Sequence, residues 1–256
     1  MIPLSFLQRL NLVAKWLLAG LFMLCLTLFN WSCPAQAANK INPQLEQEVL
    51  EVIRAHPEVI LQSLQAYQKQ QIAQIKQAQQ ALFELIKTDP KAVIAQSPTT
   101  GAADGKILLI EFSDFQCPYC ADVVKTIKKF IANHQNDVTL VYKHFPLISI
   151  HPEAMSAAKA AWAAGEQGKF WEYHDALFSQ QDKLGEQLYL DIAKKLNLNM
   201  DKFQRDRTLA NDAIQEDIQL AQILGIQGTP SFVMNDKQFA GALQLSDIEN
   251  IFAQLK

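Results

Sequence analysis

The chain has 256 residues, 49% of them hydrophobic, with 23 basic side chains, 26 acidic ones and four cysteines. A net charge of −3 lacks the positive footprint that a nucleic-acid backbone demands, so no nucleic-acid partner is expected. The length suits one domain of about 150 to 200 residues with appendages.

Arg9 and Lys15 are followed by an apolar run from Trp16 to Phe29, and a polar stretch then ends in Ala35-Gln36-Ala37. Basic, hydrophobic and small-residue regions in that order make a secretory leader, read here as residues 1–37, with a retained single-pass anchor as the alternative. Either topology predicts a periplasmic or otherwise extracytoplasmic protein. Cleavage would move the net charge from −3 to −5 and remove Cys25 and Cys33. The remaining cysteines, Cys117 and Cys120, would then stand in an oxidising compartment, where two thiols can cycle as a disulfide.

Residues 41–88 read as a helical stalk. Leu45, Val49 and Ile53 form one stripe over Pro43 to Ala55, His56-Pro57 interrupts it, and Pro57 suits the first turn of a second helix. That helix carries Val59, Leu61, Leu64, Tyr67, Ile72, Ile75, Leu82 and Leu85 among many Gln and Lys residues. Leu64, Gln71, Ala78 and Leu85 share a seven-residue interval, which offers a weak seam for a homo-oligomer; an unpaired brace is the competing reading.

Asp89-Pro90 marks the exit into a linker, residues 89–104, whose Ser97 to Gly105 part is turn-forming and small. Lys106 to Ser113 follows as an unbroken apolar run with Glu111 as its odd member, the signature of a strand buried on both faces. A helix from Pro118 to Asn133 and a strand from Val138 to Tyr142 complete a crossover, which implies parallel pairing. From 152 to 224 the pattern is helical, in pieces at about 152–165, 169–179, 186–196 and 202–224. Strands resume at Ser231 to Met234 and Gln238 to Ala240 around an Asn235-Asp236-Lys237 turn, and Ser246 with Glu249 forms a capping box for the last helix. The fold class is therefore α/β, one domain over 105–256 with an inserted helical block at about 152–224.

The chemistry centres on Cys117 and Cys120, two residues apart at a strand-to-helix junction. At a first helical turn the unpaired N–H groups and the helix dipole stabilise a thiolate, which is the attacking species in exchange. Half of a zinc site is one alternative, but the other ligands would have to come from His134, His144, His151 and His174, whose spacing forms no motif. An inert structural disulfide is another. No metal and no organic cofactor is expected.

Phe115-Gln116-Cys117-Pro118-Tyr119-Cys120, with Gly228-Thr229-Pro230-Ser231-Phe232 far downstream, resembles the DsbA-like branch of the thioredoxin superfamily over about residues 105 to 256. Lys143-His144-Phe145-Pro146-Leu147 and the segment from Gly168-Lys169-Phe170-Trp171 to His174 extend the likeness. The resemblance implies a thioredoxin-like core, Cys117 as nucleophile, Cys120 as resolving thiol, Pro230 as a cis proline facing them, and Glu111 as a buried acid that moves the resolving thiol's proton. Phe115, Tyr119 and Thr229 are the expected substrate contacts. Tyr119 departs from the histidine found between the cysteines of the most oxidising members, which leaves the reduction potential open.

The expected function is disulfide formation in reduced or misoxidised secreted proteins, with a membrane partner restoring the oxidised state. An oligomeric disulfide isomerase or reductase, and a non-catalytic substrate-binding module, are the alternatives.

Overall fold

A computed structural model describes residues 42–103 and 107–255 of the chain. The leader and its two cysteines lie outside the described residues. The chain divides after Gln65 into two units.

The first unit contains helix α1 (Pro43–Ala55) and the opening turns of α2 (Pro57–Thr88). Asn42 starts α1, its side-chain oxygen accepting the Gln44 N–H at 3.0 Å. The predicted stripe of Leu45, Val49 and Ile53 is helical but exposed, as are Val59, Ile60, Leu61 and Leu64, and none of the described residues up to Gln65 is buried. Helical stability normally comes from packing an amphipathic face, and these turns have no such packing within the unit.

In the second unit the far bound of the stalk needs correcting, while the helical stalk itself stands. Leu82 and Ile86, in the last turns of α2, are buried with Leu108, Ile110, Phe112, Ala221, Leu224 and Val233, so the compact core starts well before residue 105. The expected linker is structured too. Asp89 caps a short helix α3 (Pro90–Ile94) through the Ala92 N–H, and Val93 is buried in the same cluster. Strand β1 (Thr99–Gly101) then pairs antiparallel with β3 (Val138–His144). Gly101 is required there: its φ is +93°, and a Cβ would come within 2.3 Å of the Val138 carbonyl oxygen.

The sheet has the order β1-β3-β2-β4-β5, with β2 (Ile107–Ser113) parallel to β3 and antiparallel to β4 (Ser231–Met234), and with β5 (Lys237–Ala240) closing the edge. The parallel β2/β3 pair is joined through α4 (Pro118–Asn133), as the crossover pattern predicts. Every residue of β2 from Leu108 to Ser113 is buried, in keeping with its continuous apolar run.

The inserted block contains α5 (Ala154–Gly165), α6 (Phe170–Phe178), a 3₁₀ turn (Gln181–Lys183), α7 (Glu186–Lys195), α8 (Met200–Leu209) and α9 (Asn211–Ile223). The expected helix over 202–224 is two helices: the chain bends at Ala210, which is fully buried with Ile214 against Ala158 of α5. In the closing helix α10 (Leu245–Ala253) the capping box is real but lies two residues earlier than expected. Gln244 and Asp247 form it, not Ser246 and Glu249.

Candidate active site

β2 delivers the chain into the site. After Ser113, the side chain of Asp114 is fully buried and acts as a hub: one carboxylate oxygen accepts the Gln116 N–H at 2.8 Å, while the other accepts the Leu147 N–H at 2.9 Å and lies 2.8 Å from His151 Nδ1. Its carbonyl accepts the Cys117 N–H at 3.1 Å. Gln181, from the 3₁₀ turn, donates from one amide nitrogen to the carbonyls of both Phe115 and Cys117 at 2.8 Å. These contacts hold the turn that ends at Cys117. No motif betrays them, since a lone Asp at a strand end and a lone Gln in a polar stretch carry no pattern.

Cys117 occupies the cap position of α4 with Pro118 in the first turn, where a missing N–H costs nothing. Both thiols are free and buried. Hydrogen bonding from Cys120 holds the Cys117 thiol down at about 5 against the opposing effect of burial, helped by Thr229 and by the backbone N–H groups of Cys120 and Tyr119. Cys120, one turn into the helix and fully buried, is pushed strongly the other way by desolvation, with a further contribution from its neighbour. The two sulfurs are thus differentiated, one prone to ionise and the other held as a thiol.

The Thr229–Pro230 bond is cis, and Cys117 Sγ lies 3.3 Å from the Thr229 carbonyl oxygen. The downstream Gly-Thr-Pro segment is therefore brought against the cysteine pair, 112 residues away in sequence.

Glu111 sits on β2 opposite Tyr142 of β3 and Phe232 of β4. It is 3% exposed, and burial lifts its carboxyl from 4.5 to about 7. One carboxyl oxygen has no protein partner; Ser113 Oγ, the Tyr142 hydroxyl and both ring nitrogens of His144 share that condition. Burial also drives His144 down to about 3 and lowers His174, which keeps both rings neutral near pH 7. The three histidines are network and packing residues: His144 and His174 flank Tyr142 at ring distances of 5.1 and 5.3 Å, and His151 joins Asp114.

Of the expected substrate contacts, Tyr119 is 60% exposed beside Cys117, whereas Phe115 is only 1% exposed. The Phe115 reading is corrected by packing: its ring stacks on Tyr142 at 5.5 Å and meets Phe178 at 5.0 Å, so it belongs to the core beneath the site. Two exposed isoleucines, Ile148 and Ile150, lie in the loop that Asp114 ties down, and sequence reading passed over them. Among the described residues no group of three or more His, Cys, Asp or Glu side chains could hold a metal ion.

The profile of the family described as Thioredoxin matches residues 94–253. A thioredoxin-like oxidoreductase from Silicibacter pomeroyi DSS-3 superposes with a TM-score of 0.60 at 30% identity, covering 66% of this chain and 98% of that one. Proteus mirabilis ScsC in a transitional conformation gives 0.59 at 26% identity over 85% of this chain and 98% of that one. Oxidised BdbD from Bacillus subtilis gives 0.54 at 25% identity, covering 63% of this chain and 93% of that one. Among curated proteins, the Na(+)/H(+) antiporter NhaA 3 of Salinispora tropica is 36% identical over 144 residues, which are 55% of this chain but 22% of that protein. The match therefore spans under a quarter of the antiporter's length, and antiporter activity does not carry over with it.

Proposed function

Because the chain belongs to the thioredoxin superfamily, among its DsbA-like thiol-disulfide oxidoreductases, we propose that Cys117 is the nucleophile, Cys120 the resolving thiol and Glu111 the acid-base group of a net disulfide-forming enzyme. Dithiol-disulfide exchange is the activity of this family; the direction and the residue roles are the proposal. The observation that carries it is the opposed ionisation of the two thiols, with Cys117 held at about 5 and Cys120 raised. A stabilised thiolate favours the reduced enzyme, makes the enzyme's own disulfide a strong oxidant, and makes Cys117 a good leaving group.

In the forward reaction a client thiolate attacks Cys117 Sγ of the enzyme disulfide, and Cys120 leaves with the electron pair and takes a proton that Glu111 supplies. A second client thiolate attacks the client sulfur of the mixed disulfide, Cys117 departs as thiolate, and the client is oxidised by two electrons. The cis Thr229–Pro230 segment and Tyr119 would border the client backbone. The clients would be secreted proteins and the setting extracytoplasmic, as the leader reading suggests. A membrane partner would reoxidise the pair. Among the described residues no helix is long and apolar enough to cross a membrane.

The test is the equilibrium with a glutathione redox series, together with oxidation of a reduced, unfolded protein. An oxidising potential with fast client oxidation supports the reading. Reshuffling of scrambled disulfides without net oxidation would overturn it in favour of an isomerase. One observation favours that second reading: Val59, Ile60, Leu61 and Leu64 are all at least half exposed, a surface that a copy of the same helices could cover. The match to Proteus mirabilis ScsC covers 85% of this chain, which is more than residues 94–256 alone supply.

A further inference from the structure

Cys117 caps α4 without a side-chain cap bond, so its place is set by its main chain. Its N–H donates to the Asp114 carbonyl at 3.1 Å, and its own carbonyl accepts the Cys120 and Ala121 N–H groups that open the helix, at 3.1 and 3.3 Å. The bonds that hold the Cys117 thiol down, first that of Cys120 and among the lesser ones the N–H groups of the first helical turn, last only while the sulfur stays at this cap. Asp114 is therefore the anchor of the nucleophile. Its side chain is fully buried and meets three donors: the Gln116 N–H, the Leu147 N–H and, at 2.8 Å, His151 Nδ1. A carboxylate only accepts hydrogen bonds, so the imidazole brings a proton on the nitrogen that faces it. His151 is itself fixed at the head of α5, donating its N–H to the Leu147 carbonyl at 2.9 Å and accepting the Ala154 N–H at 3.1 Å. Glu153 closes the same segment onto the turn through its N–H, which donates to Gln116 Oε1 at 2.7 Å.

A buried charge is tolerated when it is paired and bonded, and removing one partner costs far more than the pair contributes. Two of the three donors on Asp114 are main-chain N–H groups, which any residue but proline supplies. The third depends on the side chain at 151. We propose that His151 is a positioning residue of the exchange reaction, acting through Asp114 to fix the Cys117 cap and thereby setting the oxidising power of the enzyme disulfide. The proposal rests on the reading of Cys117 as the nucleophile. Without the ring, the carboxylate keeps two main-chain donors for its buried charge, and it turns toward water and carries the Asp114 carbonyl with it. Gln181 retains its bonds to the Phe115 and Cys117 carbonyls from the other side, so the turn shifts without dissolving. The Cys117 sulfur then moves off the helix N–H groups and its thiolate loses stabilisation. Reduced enzyme gives up two electrons to glutathione disulfide more readily: the enzyme's sulfur–sulfur bond forms, that of glutathione breaks, and two glutathione thiols take the two protons. A chain without His151 is the weaker oxidant.

The full mature chain is tested by equilibration with a glutathione redox series and by the pH profile of Cys117 alkylation. His151→Ala should shift the equilibrium about tenfold toward the enzyme disulfide and raise the midpoint of alkylation by about one pH unit. His151→Leu, which fills the place of the ring without a donor, gives the same reading if the alanine variant does not fold. His151→Asn, whose amide nitrogen can stand where Nδ1 stood, should return both quantities to within about twofold of the parent. In an Asp114→Asn background His151→Ala should add less than about twofold, because the two side chains act as one unit. A lowered unfolding midpoint with the equilibrium and the alkylation profile unmoved would make His151 a structural residue only and overturn the proposal. An asparagine variant that behaves like alanine, or full additivity with Asp114→Asn, would overturn it as well. Each of these failures leaves the nucleophile reading standing, whereas unchanged exchange in Cys117→Ser would remove both.

Discussion

The two faces of β2 have been put to different uses. On one, Leu108, Ile110 and Phe112 pack against Leu82 and Ile86 of α2, Ala221 of α9 and Leu224 just past its end, and nearly every neighbour is apolar. The exception is the buried Lys143–Asp217 pair at 3.0 Å, where Asp217 also accepts the His144 N–H at 2.9 Å, so its charge is met twice. On the other face the parallel register sets Glu111 beside Tyr142 and Ser113 beside His144, four buried polar side chains that each retain an unpartnered polar atom. Unsatisfied polar groups are costly, so the second face lowers stability where the first supplies it. The period-2 geometry of a strand lets a single segment do both, within one residue of each other.

Cutting the nucleophile gives the largest effect. Cys117→Ser should bring exchange to the uncatalysed background, whereas Cys120→Ser should still attack and should accumulate a mixed disulfide, visible as a client adduct by mass spectrometry under non-reducing conditions. Equal turnover in Cys117→Ser would remove the polar face from the chemistry altogether.

The cost of the polar face itself can be measured through pH. Glu111 binds its proton more tightly folded, at about 7, than unfolded, at 4.5, so the folded state holds the extra proton between those values and loses stability as pH rises through them. The full penalty, about 3 kcal/mol, is reached above pH 7. Glu111→Gln should therefore be more stable than the parent protein at pH 8, and the difference should shrink toward pH 4, as read by urea unfolding. A difference that does not vary with pH would mean the carboxyl is not held protonated by burial.

On the apolar face, Ile86→Ala should lower stability by about 2 to 4 kcal/mol, since it opens a cavity where the residue is 3% exposed, while the alkylation profile of Cys117 stays in place. This residue also shows what the sequence could and could not disclose. The unbroken run of β2 and the Cys117/Cys120 pair at a strand-to-helix junction were legible because each is a local pattern with its own physical cause, whereas the distant Thr229-Pro230 segment was legible only through the family resemblance. Ile86 and Leu82 were not: along α2 they look like Leu64, and only the arrival of α9, more than a hundred residues later, decides that they are buried. The hub role of Asp114 and the bonds of Gln181 were invisible for the same reason, being long-range. Phe115 was misjudged because its place in the motif marks proximity to the cysteines but not the direction of its ring, which packing against Tyr142 decides.

The smallest effect on stability is expected at the other end of α2, and it bears most directly on oxidation against isomerisation. Leu64 is 50% exposed and Ile60 likewise, so neither makes the contacts that give Ile86 its weight. Leu64→Ser should change the unfolding free energy by less than about 0.5 kcal/mol, as surface substitutions usually do. If these exposed side chains meet a second copy in solution, the same substitution, combined with Ile60→Ser, should lower the absolute mass measured by light scattering and make the apparent stability independent of protein concentration. Several reduced active sites held in one assembly would favour repeated attack on non-native disulfides through high effective concentration, so a loss of mass accompanied by a loss of reshuffling would identify an isomerase. A mass that is monomeric before and after substitution, with rapid oxidation of reduced client in both proteins, would leave the helices without a part in the chemistry and would favour the oxidase that the ionised Cys117 points to.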